Sequence, residues 1–211
     1  MFTDLSVQSD RETIRQMIDA WALARDTADW DRLAALWHDD GQMSTTWSRT
    51  SAREFVARSR KAFDAGVTVS HTMGGCTVDL RGDRAVAESR MTIIQRAIVH
   101  DVLVDVTCIG LFWDAIERRE GRWGFVRRQP IYDMDRMSPV DPAVRLSLDQ
   151  ALLGSFPDGY RHLAYLQTKI GFNVRTTLHS SRDPEMAALR AAGRRWLAGD
   201  DAGCLNYRPE A

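Results

Sequence analysis

Apolar residues near the start of the chain recur at helical spacing: Ile14, Met17, Ile18, Trp21, Ala24 and Ala28. That period predicts one long amphipathic helix. Ser9 or Asp10 caps its start, with Glu12 at the reciprocal capping position for Ser9, which leaves residues 1–10 as a loose arm. Its end falls near Thr27 or Ala28. A short second helix follows, with Trp30, Leu33, Leu36 and Trp37 as its apolar set, and His38-Asp39-Asp40-Gly41 closes it with turn chemistry. Residues 42–48 read as a short strand ending at Trp47. Ser51 opens a third helix through Ala65, with Phe55, Val56 and Phe63 inward and Arg53, Arg58, Arg60 and Lys61 outward. Gly66 stands in the usual C-terminal position.

From Val67 to Ile131 the period changes to that of strands. Val67–Leu80 comes first, interrupted by Gly74-Gly75. Ala85–Val99, Val102–Ile116 and Trp123–Gln129 follow, separated by the turns Gly82-Asp83, His100-Asp101 and Glu120-Gly121. Four strands joined by tight turns form an antiparallel meander. The third is apolar on both sides: Val102, Val104, Val106, Cys108 and Phe112 on one, Leu103, Ile109, Leu111 and Trp113 on the other. Both faces of such a strand need cover, from helices, a ligand or a second subunit. Helices first, then a curved sheet wrapping around them, is an α+β layout. Pro139 and Pro142 mark a linker, so residues 1–138 form the main body and 139–211 a helical extension. Within it, helices are predicted near Ala143–Leu153, 160–170 and 184–198.

The 211 residues suffice for one large core. The formal net charge of -1 carries no basic footprint for nucleic acid and no polybasic membrane patch. No apolar run approaches the roughly 20 residues of a spanning helix, and MFTDLSVQSDRE lacks the basic start and apolar stretch of a signal peptide. A cytoplasmic protein is the expectation. Cys76, Cys108 and Cys204 are odd in number and widely spaced, which argues against a disulfide framework and a zinc knuckle. The five histidines form no HxxxH or HExxH arrangement, and there is no phosphate-cradling glycine loop, dinucleotide fingerprint or Gly-x-Ser-x-Gly elbow. Neither a metal nor a cofactor is therefore expected. Asp133 and Asp135 are read as capping the sheet end or pairing with arginines.

Several of these segments have a familiar order. Ala-Arg-Asp-Thr-Ala-Asp-Trp-Asp-Arg-Leu at 24–33, Leu-Trp-His-Asp-Asp at 36–40, Val69-Ser70-His71-Thr72-Met73, Gly82-Asp83-Arg84-Ala85 and Arg119-Glu120-Gly121-Arg122-Trp123 follow one another. In that order and spacing the chain resembles the nuclear transport factor 2-like (SnoaL-like) superfamily over roughly residues 10–135. The resemblance implies a cone-shaped curved antiparallel sheet around N-terminal helices, with an apolar pocket. Relatives include scytalone dehydratase, hexachlorocyclohexane dehydrochlorinase, ketosteroid isomerase, polyketide cyclases and dioxygenase β-subunits. The first two are cofactor-free lyases that pair an aspartate at the end of helix one with a histidine on the following long strand. Carried over, those positions are Asp26 and His71. The dehydrochlorinase lysine one turn before the aspartate has no counterpart here, where Ala20-Trp21-Ala22 stands.

On the residues alone, Asp26 follows Ile18 and Ala22 in four-residue steps and drifts off the buried stripe, so the helical wheel leaves it beside the helix end. His71 alternates with Val69 and Met73, and a lone histidine in such a place is more often a satisfied core residue than a catalytic one. If the pair meets, the carboxylate fixes the imidazole tautomer and frees the other nitrogen as a base. An elimination also needs an acid or oxyanion stabiliser. Tyr132 and Arg128 are the catalytic candidates, and Trp21, Trp47, Trp113, Asp105, Arg90 and Met73 are candidates to contact substrate. Asp105 interrupts an apolar strand face, and Arg90 or Arg96 on the neighbouring strand could instead hold it in a structural ion pair. The expected function is a cofactor-independent lyase, dehydratase or isomerase acting on a hydrophobic, aromatic small molecule, with loss of water or of a small molecule such as formaldehyde. Alternatives are a ligand-binding or dioxygenase β-subunit-like partner protein and a polyketide cyclase. A sheet apolar on both faces also predicts a homo-oligomer, dimer or trimer. The extension is expected to lid the pocket or form that interface.

Overall fold

The computed structural model of the protein describes residues 5–205. Helix α1 spans Leu5–Asp26 and buries Ile14, Met17, Ile18, Trp21, Ala22 and Ala24, the stripe predicted from its period. It starts upstream of the predicted caps, so residues 5–10 are helical and the rest of the expected arm, 1–4, lies outside the described residues. Helix α2 (Trp30–Ala35) is capped by Asp29, and α3 (Ala52–Asp64) by Ser51, whose hydroxyl accepts from the Glu54 amide. Phe63, expected inward, is exposed and meets Trp30 edge-on.

The segment read as a turn, His38–Gly41, is instead the start of strand β1 (Trp37–Ser44). Trp37 and His38 are buried while Asp39 and Asp40 face solvent, and Arg119 holds Asp40 there. A short β2 (Arg49–Ser51) pairs with β1. The meander follows as β3 (Thr68–Arg81), β4 (Arg84–Val99), β5 (Val102–Arg119) and β6 (Arg122–Pro139). The six strands run β2-β1-β6-β5-β4-β3, with β1 parallel to β6 and the other pairs antiparallel. This is a curved, unclosed sheet with helices packed into it, as the α+β reading required.

The glycine pair in β3 shifts its register between Met73 and Cys76. A one-residue slip exchanges the faces of a strand, so Val69, His71 and Met73 before it and Cys76, Val78 and Leu80 after it are all turned toward the core. β6 runs ten residues past its predicted end at Gln129, through Pro130 and the Asp133/Asp135 segment. At Gly110 the backbone of β5 comes so close to β6 that an added Cβ would sit 1.9 Å from the Ile131 carbonyl oxygen. Gly110→Ala is therefore expected to cost more than about 3 kcal/mol, read as a lowered urea midpoint. A midpoint like that of the native protein would contradict the register.

The predicted helix at 143–153 shrinks to α4 (Gln150–Gly154), started by the Asp149 side chain. Helices α5 (Arg161–Lys169) and α6 (Glu185–Ala198) stand close to expectation. Helix α6 covers the outer sheet face through Met186, Leu189 and Trp196 against Trp113, Val126 and Ile131. Further along that face Ile94, Ile98, Leu103, Ile109 and Met134 remain exposed. Helix α5 joins the opposite, inner face. Asp135 accepts from the Leu163 amide at 2.7 Å and faces His162 Nδ1 at 2.8 Å, and Asp133 accepts from Ser181 N at 2.8 Å. These two carboxylates fasten the extension; the expected arginine pairing is not what they do.

Candidate active site

Between α1, α3, α5 and the inner face of the sheet lies a hollow of about 70 Å³, several times the roughly 10–15 Å³ that one water needs. Trp21, Trp47, Phe55, Phe112 and Phe172 give it aromatic walls, and Met43, Val69, Ile93 and Leu163 aliphatic ones. Leu163, Gln167 and Phe172 come from beyond residue 139, so the extension closes one side.

Asp26 is the last residue of α1, and His71 lies opposite Ile93 in β3. The chain leaves the helix through Ala28, whose φ is +61°. One Asp26 oxygen accepts from the His71 backbone amide at 2.5 Å and the other meets His71 Nδ1 at 2.7 Å. Two contacts from one residue hold the ring rotamer as well as its tautomer. The His71 side chain is 7% exposed and packs edge-on against Trp21, centroids 5.3 Å apart. Burial pushes its pKa below the ordinary value of 6.5, outweighing the pull of Asp26, and the nearby Arg25 and Arg128 add to the depression. His71 is thus neutral at pH 7, with Nδ1–H given to Asp26 and Nε2 left as an acceptor.

Trp21, Trp47 and Tyr132 line the same hollow. Burial raises the Tyr132 phenol well above its usual range, so it stays protonated. The extension fixes Tyr132 in place: its amide donates to the His179 carbonyl at 2.9 Å, and a Cβ on Gly159 would lie 2.2 Å from its carbonyl oxygen.

Five expected site residues are placed elsewhere. Asp105 forms a bidentate pair with Arg96, both contacts at 2.7 Å, on the outer face. Arg90 points to solvent. Trp113 is buried under α6, because its parity in β5 is opposite to that of Phe112. Met73 packs into the core without joining the walls of the hollow. Arg128 lies behind those walls, fully buried, with its guanidinium over Phe112 (4.1 Å), Trp21 (4.3 Å) and Phe125 (4.9 Å). The register shift between Ala115 and Ile116 accommodates Val126 as an extra residue in β6 and so puts Phe125 and Arg128 on one face. Strict alternation along β6 would separate them.

Arg128 faces Asp114 across the β5–β6 ladder, Nε to Oδ1 3.3 Å, and both side chains are inaccessible. Burial pushes Asp114 up to about 7 against the attraction of Arg128. An unfolded aspartate titrates near 3.8, so between these values the folded state binds the extra proton. Stability then falls as pH rises from about 4 to about 7 and levels off above. The difference in unfolding free energy between the native protein and Asp114→Asn is expected to fall over that window. A pH-independent difference would contradict it.

Polar residues that the sequence reading missed complete the hollow. Thr46 donates to Gln167 Oε1 at 2.5 Å, and Gln167 Nε2 donates to Gln95 Oε1 at 3.0 Å. This ladder joins the loop after β1, helix α5 and strand β4. Its only signal in the sequence was Gln95 falling in step with Met91 and Ile93. Arg25 also lines the hollow; it is 7% exposed, and its Nη1 has no hydrogen-bond partner among the described residues.

The SnoaL-like domain family model matches residues 7–129. The chain belongs to that family. Among similar proteins, pea pathogenicity protein 2 of Fusarium vanettenii is 30% identical over 209 residues, covering 92% of this chain and 88% of the relative. A PEP2-like protein of the same fungus is 31% identical over 161 residues, covering 75% of this chain and 69% of its own. Solved structures share the fold at low identity. A hexachlorocyclohexane dehydrochlorinase, LinA-type3 of Novosphingobium barchaimii, aligns with TM-score 0.56 at 13% identity, over 70% of this chain and 100% of its own. A provisionally assigned scytalone dehydratase of Novosphingobium aromaticivorans aligns with TM-score 0.53 at 19% identity, over 66% and 97%. Among the described residues no helix is long and apolar enough to cross a membrane.

Proposed function

We propose that the protein is a cofactor-independent lyase for a hydrophobic, aryl-bearing small molecule, with His71 as general base and Asp26 as its orienting partner. The contact between Asp26 and a neutral, buried His71 at the wall of an aromatic hollow carries this reading. His71 Nε2 takes a proton from an O–H or C–H of the substrate. Asp26 stabilises the imidazolium that forms. In a dehydration, the C–H electron pair becomes the new double bond as the C–O bond breaks and water departs. In loss of formaldehyde, deprotonation of a hydroxymethyl O–H forms the C=O. The C–C pair released then expels a leaving group on the neighbouring carbon. Tyr132, held protonated, gives the leaving oxygen its proton, and Arg25 Nη1, unpartnered among the described residues, stabilises negative charge developing in the hollow. The names of the dehydrochlorinase and of the provisionally assigned scytalone dehydratase both describe eliminations, which is in keeping with an elimination on this fold. The aromatic walls favour an aryl ring over other hydrophobic groups.

The test is turnover of a panel of β-hydroxy and hydroxymethyl aryl compounds by dialysed, chelator-treated protein. Product should form without added cofactor, together with water or formaldehyde. Aryl ligands that bind the native protein in the hollow but are never converted would sink the lyase and leave a binding protein.

A further inference from the structure

A second, smaller pocket of about 40 Å³ lies on the sheet face turned away from the hollow. Met43 lines the hollow and Ser44, its neighbour in β1, lines this pocket. Three guanidinium groups converge on it: Arg49 from β2, Arg127 from β6 and Arg175 from the segment after α5. Ser44, Gln129 and Thr177 add neutral polar groups, and no carboxylate is among its walls in the described residues. Asp183 reaches only as far as His179 at the rim, 3.9 Å from its Nδ1.

Arg127 is 5% exposed. Its Nη2 donates to Gln129 Oε1 at 3.0 Å, while Nη1 is buried with no partner among the described residues. Arg175 donates to the Thr45 and Ser48 carbonyls at 3.3 Å, neutral acceptors that do not balance its charge. Burial, with Arg49 and Arg175 adding like charge, pushes Arg127 down to about 10. It is still a cation at neutral pH. A buried guanidinium with a spare donor is costly without an anion.

We propose that this arginine nest binds a compact oxyanion of the phosphate class, at a site separate from the hollow. Planar guanidinium forks match the oxygen pairs of such an ion, and the Arg127 and Arg175 forks, from different elements, suit a tetrahedral ion better than a flat carboxylate. The small volume admits inorganic phosphate or the end of a phosphomonoester. The Arg175 amide also donates to the Thr46 carbonyl at 2.7 Å, and Thr45, Thr46 and Trp47 line the hollow. A bound oxyanion therefore braces one wall of the other cavity.

The experiment is thermal unfolding and titration calorimetry of the full chain with inorganic phosphate, acetate or chloride at constant ionic strength. Methyl phosphate forms a further arm that separates a phosphomonoester end from the free ion. Phosphate is expected to raise the melting temperature saturably by several degrees. Arg127→Gln is expected to weaken its binding about 10-fold or more. Crystals of the native protein soaked in selenate should show an anomalous peak between Arg127 and Arg175, a readout independent of whether the variant folds. An equal response to chloride or acetate, unchanged affinity in Arg127→Gln, or no selenate peak in the nest would overturn the proposal.

Discussion

His71→Ala is expected to lower kcat by about 10²- to 10⁴-fold, the usual contribution of a positioned base, with the fold retained. His71 lies at the edge of the core and its ring makes one strong polar contact, so the effect should fall on kcat and leave KM little changed. Asp26→Asn should lose a comparable amount. The carboxylate receives both the His71 amide and Nδ1–H, and an amide in its place offers one acceptor and an N–H that clashes with one of those donors. Because the two act as a unit, the double variant should be scarcely worse than either single one. The pH profile adds a sign. His71 titrates below 6.5 in the folded protein, so the acid limb of kcat/KM should lie below that value. Asp26 raises the His71 pKa. Removing its charge should move the limb to still lower pH while the plateau drops. An acid limb unmoved in Asp26→Asn would contradict the coupling.

Arg128→Ala should cost about 3–5 kcal/mol of stability, the range for breaking a buried ion pair. The guanidinium fills the space between Trp21, Phe112 and Phe125, so truncation leaves both a cavity and a buried acid without its counter-charge. Arg128→Met combined with Asp114→Leu refills that space without charge and should recover much of the loss. Arg128 does not line the hollow, so catalysis per folded molecule should change only a few-fold when assayed well below the melting point. Loss of activity greater than loss of fold would return Arg128 to the catalytic group. Urea unfolding and specific activity on the same samples separate the two.

The helical period and that of the first meander strand were legible because each buries one face, which Trp21 and Val69 declared. The bulges were not. An extra residue at Val126 and the shift at Gly74-Gly75 change strand parity. Alternation counted through Val126 therefore put Arg128 and Phe125 on opposite faces, and alternation counted in β5 could not say that Trp113 faces a helix more than 70 residues away in sequence. The first half of β1 was hidden because the exposed Asp39 and Asp40 and the buried Gly41 together have the composition of a turn. Asp26 could not be placed from its wheel position, since its orientation is set by the amide of His71, 45 residues on. The family resemblance identified both positions, and neither local pattern did. Gln167 and Phe172 belong to a segment outside the resemblance, and nothing local marked them as walls of the site.

Nitrogen NMR of the His71 ring locates its proton without any substrate. At pH 7 the ring should be a neutral imidazole protonated on Nδ1, with Nε2 carrying the free lone pair, and the Nδ1 proton should shift on Asp26→Asn. A ring protonated on both nitrogens at pH 7, or one carrying its proton on Nε2, would leave His71 unable to act as the base described.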